Sequence, residues 1–304
     1  MIQAPESRIS VVIPTYKRER VLIETVEALK NLEPAPLEIL VVDQTEGHEA
    51  STLLALTQWD RDGSIRWIRL QRPSITHAMN VGLEEALGDV VLFVDDDIVP
   101  GSRLLSAHAR AQFDQRINIV AGQVLQGSEV ASVRPGEFRF SSSERRFHDE
   151  FMGCNFSVRR KTALALGGFD ENFVHVAYRF EAEFCNRALQ AGERILFEPA
   201  ASLQHLKTES GGTRAFGNHL TTVKPSHAVG AYYFLFRARN LDNRFGRFVG
   251  RFFRSVRTRH HFMRPWWIPG TLIAEMLGLC WAAWLFTKGP QLIAPTRTAK
   301  GGTR

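Results

Sequence analysis

The sequence predicts an α/β fold, with a mostly parallel, doubly wound sheet flanked by helices. Three observations predict it. Short unbroken apolar runs recur, as strands buried on both faces require. Segments of helical spacing lie between them. Several runs end in an acid or a turn residue, and the order is strand, helix, strand, helix, strand, helix, strand.

Residues 9–13 (ISVVI) form a first buried strand, ended by Pro14-Thr15-Tyr16. From Arg18 to Leu32 apolar side chains fall at Val21, Leu22, Val26, Leu29 and Leu32, a helical spacing broken by Pro34 and Pro36. Residues 38–43 (EILVVD) are a second strand ending in Asp43, and residues 65–70 (IRWIRL) alternate as a third. Residues 74–87 are helical, with Ser74 as the cap and Gly88 as the stop. The chain is organised around residues 90–100 (VVLFVDDDIVP), where five apolar residues run into Asp95, Asp96 and Asp97. A buried parallel strand delivers its carboxyl end to the crevice where open α/β sheets bind ligands. Three adjacent carboxylates repel one another unless a positive group lies between them. A hard divalent cation, Mg²⁺ or Mn²⁺, suits oxygen ligands and substrate phosphates. The other reading of the triplet is a solvated acidic turn capping the next helix.

With 304 residues, 44% of them hydrophobic, the chain can build one large domain and an appendage, and is not a disordered segment. Cys154, Cys185 and Cys280 form neither a disulfide framework nor a zinc spacing, which fits a reducing compartment. The opening MIQAPESRIS lacks the apolar stretch of a signal peptide. No G-x-G-x-x-G follows the first strand and no G-x-x-x-x-G-K-[ST] occurs, which counts against a dinucleotide dehydrogenase and a P-loop nucleotidase. A nucleotide site without a glycine loop remains, with a metal for the phosphates. Strand-end acids such as Asp43 bond a ribose or base edge in α/β folds.

VVIPTYKR (11–18), VVDQT (41–45), N-x-G (80–82) and LFVDDDIVP (92–100) resemble motifs of the inverting family-2 glycosyltransferases of the GT-A fold. GCNFSVRR (153–160), GGFDENF (167–173) and FEAEFCNRALQAG (180–192) continue the resemblance in the family's order, to roughly residue 210. The resemblance implies that Pro14 and Thr15 border the base, that Asp43 bonds base or ribose, and that Asn80 belongs to the donor site. It makes Asp95–Asp97 the D-x-D element, with Asp95 and Asp96 toward the donor and Asp97 on the metal. Arg18 and Arg72 each face the diphosphate or are surface charges, the surface reading being favoured for Arg72. Family members often carry Arg where this chain has Met79, so one cationic phosphate contact is missing.

The family usually has Glu-Asp where Phe180-Glu181 stand, which gives Glu181 the place of the general base. An inverting transfer needs a carboxylate opposite the leaving diphosphate to take the acceptor's proton. Glu183, in the same first helical turn, complements the helix dipole. A strand at residues 195–199 (ILFEP) precedes His205, either a structural residue or, as the resemblance implies, a further metal ligand. The polar KTESGGTR segment (207–214) is either a loop closing over the donor, with Lys207 or Arg214 on phosphate, or a linker.

The tail changes character. Nine arginines and one acid, Asp242, lie between Arg237 and Arg264. On a helical wheel Phe245, Phe248, Val249, Phe252, Phe253 and Val256 oppose Arg247, Arg251, Arg254 and Arg257, the pattern of a membrane-surface helix. Residues 266–286 are apolar except for Glu275, which favours a helix in the interface over a full span. The alternative is a helix pair packed on the catalytic domain. The expectation is a GT-A catalytic domain over residues 1–228 and a basic, apolar helical tail over 229–304. Its activity is metal-dependent (Mn²⁺ or Mg²⁺) inverting transfer from a nucleotide-diphosphate sugar to a glycan or lipid-linked acceptor, at the cytoplasmic face of an anionic membrane. Nucleic acid is not an expected partner. The competing readings are a nucleotidyltransferase and a catalytically silent glycan- or nucleotide-binding scaffold.

Overall fold

The computed structural model describes residues 8–113, 116–126, 140–208, 210–217, 219–238 and 240–294. In chain order the elements are β1 (Ile9–Thr15), α1 (Arg20–Lys30), β2 (Glu38–Asp43), α2 (Ala50–Arg61), β3 (Arg66–Arg69), α3 (Ile75–Glu85), β4 (Val90–Val94) and β5 (Ile98–Pro100). Then come α4 (Leu104–Phe113), β6 (Ile119–Gln126), β7 (Arg146–His148), β8 (Asn155–Arg159), α5 (Arg160–Ala165), α6 (Phe180–Gln190) and β9 (Ile195–His205). The tail supplies α7 (Val229–Arg237), α8 (Arg244–Val256), α9 (Arg259–Met263) and α10 (Ile268–Lys288).

The strands form one sheet in the order β3-β2-β1-β4-β8-β6-β9-β5, with β7 on β9. From β3 to β4 every pairing is parallel. Beyond β4 the sheet is mixed, because β8 runs antiparallel to both β4 and β6. All five residues of β4 are buried, as a central strand covered on both faces requires. Two apolar layers cover the sheet. One holds Leu22, Val26 and Leu56 from α1 and α2; the other holds Leu83, Phe156, Phe169 and Phe184. Chain order reverses between β1 and β4, and their carboxyl ends form the switch-point crevice.

Two boundaries differ from expectation. Ser74 does cap α3, accepting from the His77 amide, but the helix stops at Glu85 rather than at Gly88. Gly88 lies against β1 instead, where a Cβ would come within 2.8 Å of the Ser10 amide nitrogen. Strand β9 passes through Pro199 to His205, because a register shift opposite Gly122/Gln123 keeps it paired with β6. His205 therefore ends a strand rather than following one. Helix α8 closes at Val256.

The tail packs on the catalytic unit. Val229, Tyr232 and Tyr233 of α7 and Ala282 and Leu285 of α10 join the same core as Phe169 and Phe173. Small residues make the contact close: a Cβ on Gly278 would approach that of Ala228 to 2.6 Å. Glu275 is buried in this contact and pairs with Arg251 at 3.1 Å. The segment from Pro265 to Lys288 is long and apolar enough to cross a membrane by length and composition. Its outer face leaves Ile273, Met276, Leu277 and Trp284 exposed.

Candidate active site

The aspartate triplet lies where β4 ends and is shared out by direction. Asp96 turns inward. It accepts from Thr15 Oγ1 at 2.7 Å and pairs with Arg18 Nε at 3.0 Å. Burial pushes its carboxyl up to about 7, against the opposing pull of Arg18 and Thr15. Asp97 is buried beside His205. Its Oδ1 is 3.1 Å from His205 Nε2, and its Oδ2 takes Arg18 at 3.3 Å and the Thr208 amide at 3.0 Å. Burial alone would raise Asp97, but His205, Arg18 and Thr208 hold it below the usual carboxylate range. Asp95 faces the cleft with its Oδ2 3.6 Å from His205 Nε2; burial, with the Asp97 charge behind it, raises its carboxyl. Burial works against a charged His205, yet the two carboxylates outweigh it and raise the imidazole above its ordinary value.

Asp95, Asp97 and His205 suit a divalent cation. Ligands at about 2.1 Å from a Mg²⁺-sized ion stand about 3 Å apart when adjacent, close to the 3.1 and 3.6 Å found here. Asp97 Oδ1 is buried and has no aligned hydrogen bond, although His205 lies within ion-pair distance. An oxygen so placed is a vacant donor for a hard cation. Cys154 stands in the same group, with ligand atoms of Asp95, Cys154 and His205 within 4.8 Å of one another. Burial and the nearby carboxylates push its thiol well up. Sequence spacing does not reveal Cys154. It arrives through the antiparallel pairing of Val94 with Asn155.

Two cavities meet at Asp95. The first, about 160 Å³, is lined by Pro14, Thr15, Arg18, Gln44, Asp97 and His205 among others. Thr213 and Phe216 from the segment after β9 roof it. That segment is latched down: Arg18 bonds Thr208 Oγ1 and the Ser210 carbonyl, the Gly212 amide donates to Tyr16 O at 2.7 Å, and Phe216 stacks on Tyr16. The second cavity, about 530 Å³, is lined by Asp95, Glu150, Cys154, Tyr178, Arg179 and Glu181 among others. Glu181 stands in the first turn of α6, beside Gly153, where an added Cβ would come within 3.0 Å of its Oε1. Burial, helped by Asp95 and opposed by Arg179, pushes Glu181 up to about 7. Before it, His175, Ala177 and Arg179 all take left-handed backbone angles, a strained run of the kind that gathers at functional sites.

Two expected donor residues lie elsewhere. Asp43 is fully buried beneath the cleft, with its carboxylate bonded to the Thr45 amide, His48 Nε2 and Trp67 Nε1. Its neighbour Gln44 lines the cavity instead. Asn80 clamps both backbone groups of Phe169 at 2.8 Å and so ties α3 to the GGFDENF turn. Gly82, two residues on, lets α3 press against Val12. Arg72 is exposed. Glu183 is buried, and both its carboxylate oxygens accept from Arg187 Nε, at 2.8 and 2.9 Å, a charge-assisted contact beyond complementing a dipole.

The mixed sheet with its acid-lined switch-point crevice has the GT-A fold of the solved structures it superposes on. The profile of glycosyl transferase family 2 matches residues 10–168, and the chain belongs to that family as a nucleotide-sugar glycosyltransferase. Among curated relatives, it is 27% identical over 218 residues to glucosyl-dolichyl phosphate glucuronosyltransferase of Haloferax volcanii, covering 65% of this chain and 69% of the relative. Another curated relative is matched over only 56% of its length. Among solved structures, S. aureus TarS in complex with UDP-GlcNAc superposes with a TM-score of 0.61 at 16% identity, covering 93% of this chain and 92% of TarS. The mannosyltransferase PcManGT of Pyrobaculum calidifontis, solved with GDP-Man and Mn²⁺, gives 0.53 at 17% identity, covering 93% and 79%.

Proposed function

We propose that the chain transfers a sugar, with inversion and divalent-metal dependence, from a nucleotide-diphosphate donor to a glycan or lipid-linked acceptor. The observation that carries this is the shared wall: Asp95 lines both the cavity of Arg18, Asp97 and His205 and the cavity of Glu181. Donor and acceptor then meet across one carboxylate, with the metal ligands on one side and the base on the other. Pro14, Thr15 and Gln44 border the nucleotide. Asp95, Asp97 and His205 hold the cation, which when bound neutralises diphosphate charge. The PcManGT complex with Mn²⁺ supports this reading by analogy. Arg18 contributes a fixed positive charge behind the aspartates. Glu181, partly desolvated, takes the proton of the acceptor hydroxyl, since a carboxyl near 7 is matched to a base working at neutral pH.

The donor cavity of about 160 Å³ is smaller than a small-molecule site of about 300–1,000 Å³. Donor entry would lift the 210–216 segment, which frees Arg18 Nη1 from the Ser210 carbonyl for phosphate while Nε and Nη2 stay on Asp96 and Asp97. Phe245, Phe253, Phe262 and Trp266 are each more than half exposed, and they would seat the tail at the cytoplasmic face of a membrane where lipid-linked acceptors reside. In functional terms residues 1–228 carry the chemistry and 229–304 the attachment. The test is turnover of a panel of nucleotide sugars with Mn²⁺ or Mg²⁺, followed by the anomeric configuration of the product by NMR. Turnover that is unchanged by chelation, or a retained configuration, would overturn the reading.

A further inference from the structure

A third cavity, about 750 Å³, opens between the strained 175–179 run, α7, α8 and α10. Val176, Tyr178 and Arg179 line both it and the Glu181 cavity, so the two are neighbours along one wall. Its lining is cationic: Arg179, Lys224, Arg247, Arg251 and Arg254, against one acid, Glu275. Two of these cations are matched, Arg179 by Glu150 at 2.8 Å and Arg251 by Glu275 at 3.1 Å. Among the described residues Lys224, Arg247 and Arg254 have no carboxylate partner. Arg247 and Arg254 each give Nε to a backbone carbonyl close by in the chain, to Asp242 and Gly250. Their outer nitrogens remain for a ligand. His219 and His227 also line the cavity, and burial, with the Arg251 charge on His219, holds both below their ordinary value. A concave site with three cations that lack a carboxylate partner selects an anion such as a phosphate.

The surroundings select the anion's carrier. Helix α8 sends Arg247, Arg251 and Arg254 to the cavity and leaves Phe245, Val249 and Phe253 exposed. Helix α10 sends Thr271, Ala274 and Glu275 inward and leaves Ile273, Met276 and Leu277 exposed. The two helices that wall the anion site thus carry apolar outer faces. We propose that this cavity binds the phosphate of an isoprenoid-phosphate-linked sugar. The lipid leaves along α8 and α10, and the sugar passes Arg179 toward Glu181. The proposal rests on reading the Glu181 cavity as the acceptor side, and it gives that acceptor a chemical class.

Farnesyl phosphate, farnesol and inorganic phosphate serve as probes, titrated calorimetrically into the full chain in EDTA, which removes metal-bridged binding at the aspartates. Lys224, Arg247 and Arg254 are exposed, so the triple variant Lys224→Gln, Arg247→Gln, Arg254→Gln should fold, and a thermal melt checks this. It should bind farnesyl phosphate about tenfold more weakly or worse, the worth of one charge-assisted hydrogen bond. Arg257→Gln with Arg259→Gln, outside the cavity, should bind as the wild type does. Equal binding of farnesyl phosphate by the wild type and the triple variant would overturn the proposal. So would farnesol, or inorganic phosphate, binding as tightly as farnesyl phosphate; the last outcome assigns the site to free phosphate. A wild type that turns over no nucleotide sugar would count against the proposed transferase activity and leave this metal-free titration decisive for the anion site.

Discussion

Replacing Glu181 by Gln should have opposite effects on activity and stability. Desolvation moves this carboxyl from an ordinary 4.5 to about 7. Between those values the folded protein binds more protons than the unfolded chain, so stability falls as pH rises through the window. Above pH 7 the charged Glu181 costs about 3 kcal/mol, at 1.36 kcal/mol per pKa unit. Gln keeps the shape and removes the charge. Glu181→Gln should therefore melt about 5 °C above the wild type at pH 8 in EDTA, given about 2.1 cal/mol/K of unfolding entropy per residue. The two should melt together near pH 4.5. Activity should go the other way, falling about 10²–10⁴-fold. In the wild type, kcat/KM should drop about tenfold per unit below pH 7 as the base becomes protonated. Differential scanning fluorimetry and initial rates across pH 4.5–8.5 make the measurements. A variant that keeps wild-type turnover, or is destabilised at pH 8, would refute Glu181 as a desolvated base.

Asp97→Ala should abolish Mn²⁺-dependent donor binding in calorimetry; affinity unchanged by the substitution would exclude Asp97 as a metal ligand. Asn80→Ala should lower stability by about 1–3 kcal/mol, because both backbone groups of Phe169 lose their partner. Its donor affinity should stay within twofold of wild type, measured by titration of the folded variant. Phe253→Ser with Phe262→Ser and Trp266→Ser should cut co-sedimentation with anionic vesicles, and full retention would remove the apolar surface from the membrane reading.

What is legible in the sequence is whatever a local pattern decides. An apolar run ending in three acids places Asp95–Asp97 at a crevice, since strand burial and sheet polarity follow from composition. Asp43 is legible as a strand-end acid but not as a buried one. Side chains alternate along an extended chain, so one position separates Asp43, under the sheet edge with His48 and Trp67, from Gln44 in the cavity. Asn80 escapes local reading for a related reason. Its partner is the backbone of a turn 89 residues away, and no local spacing reports that. Cys154 and the closed loop over Arg18 likewise depend on pairings distant in the chain.

The tail shows the same limit from the other side. A helical wheel separates Phe from Arg on α8 but does not say which side meets protein. Two facts at the contact decide it. Glu275, which would be costly at mid-bilayer, is buried against protein and paired with Arg251. The small residues Ala274, Gly278 and Ala282 recur every fourth position on α10 and are buried where α10 packs on α7. Part of the arginine stripe therefore turns toward the catalytic unit, and exposed phenylalanines occupy positions a surface helix would give to charge. A helix built only to sit on anionic headgroups would need no cavity behind its arginines. The cavity behind α8 borders the one containing Glu181, so under the proposed reading the tail's charge would serve the acceptor and its apolar surface the membrane.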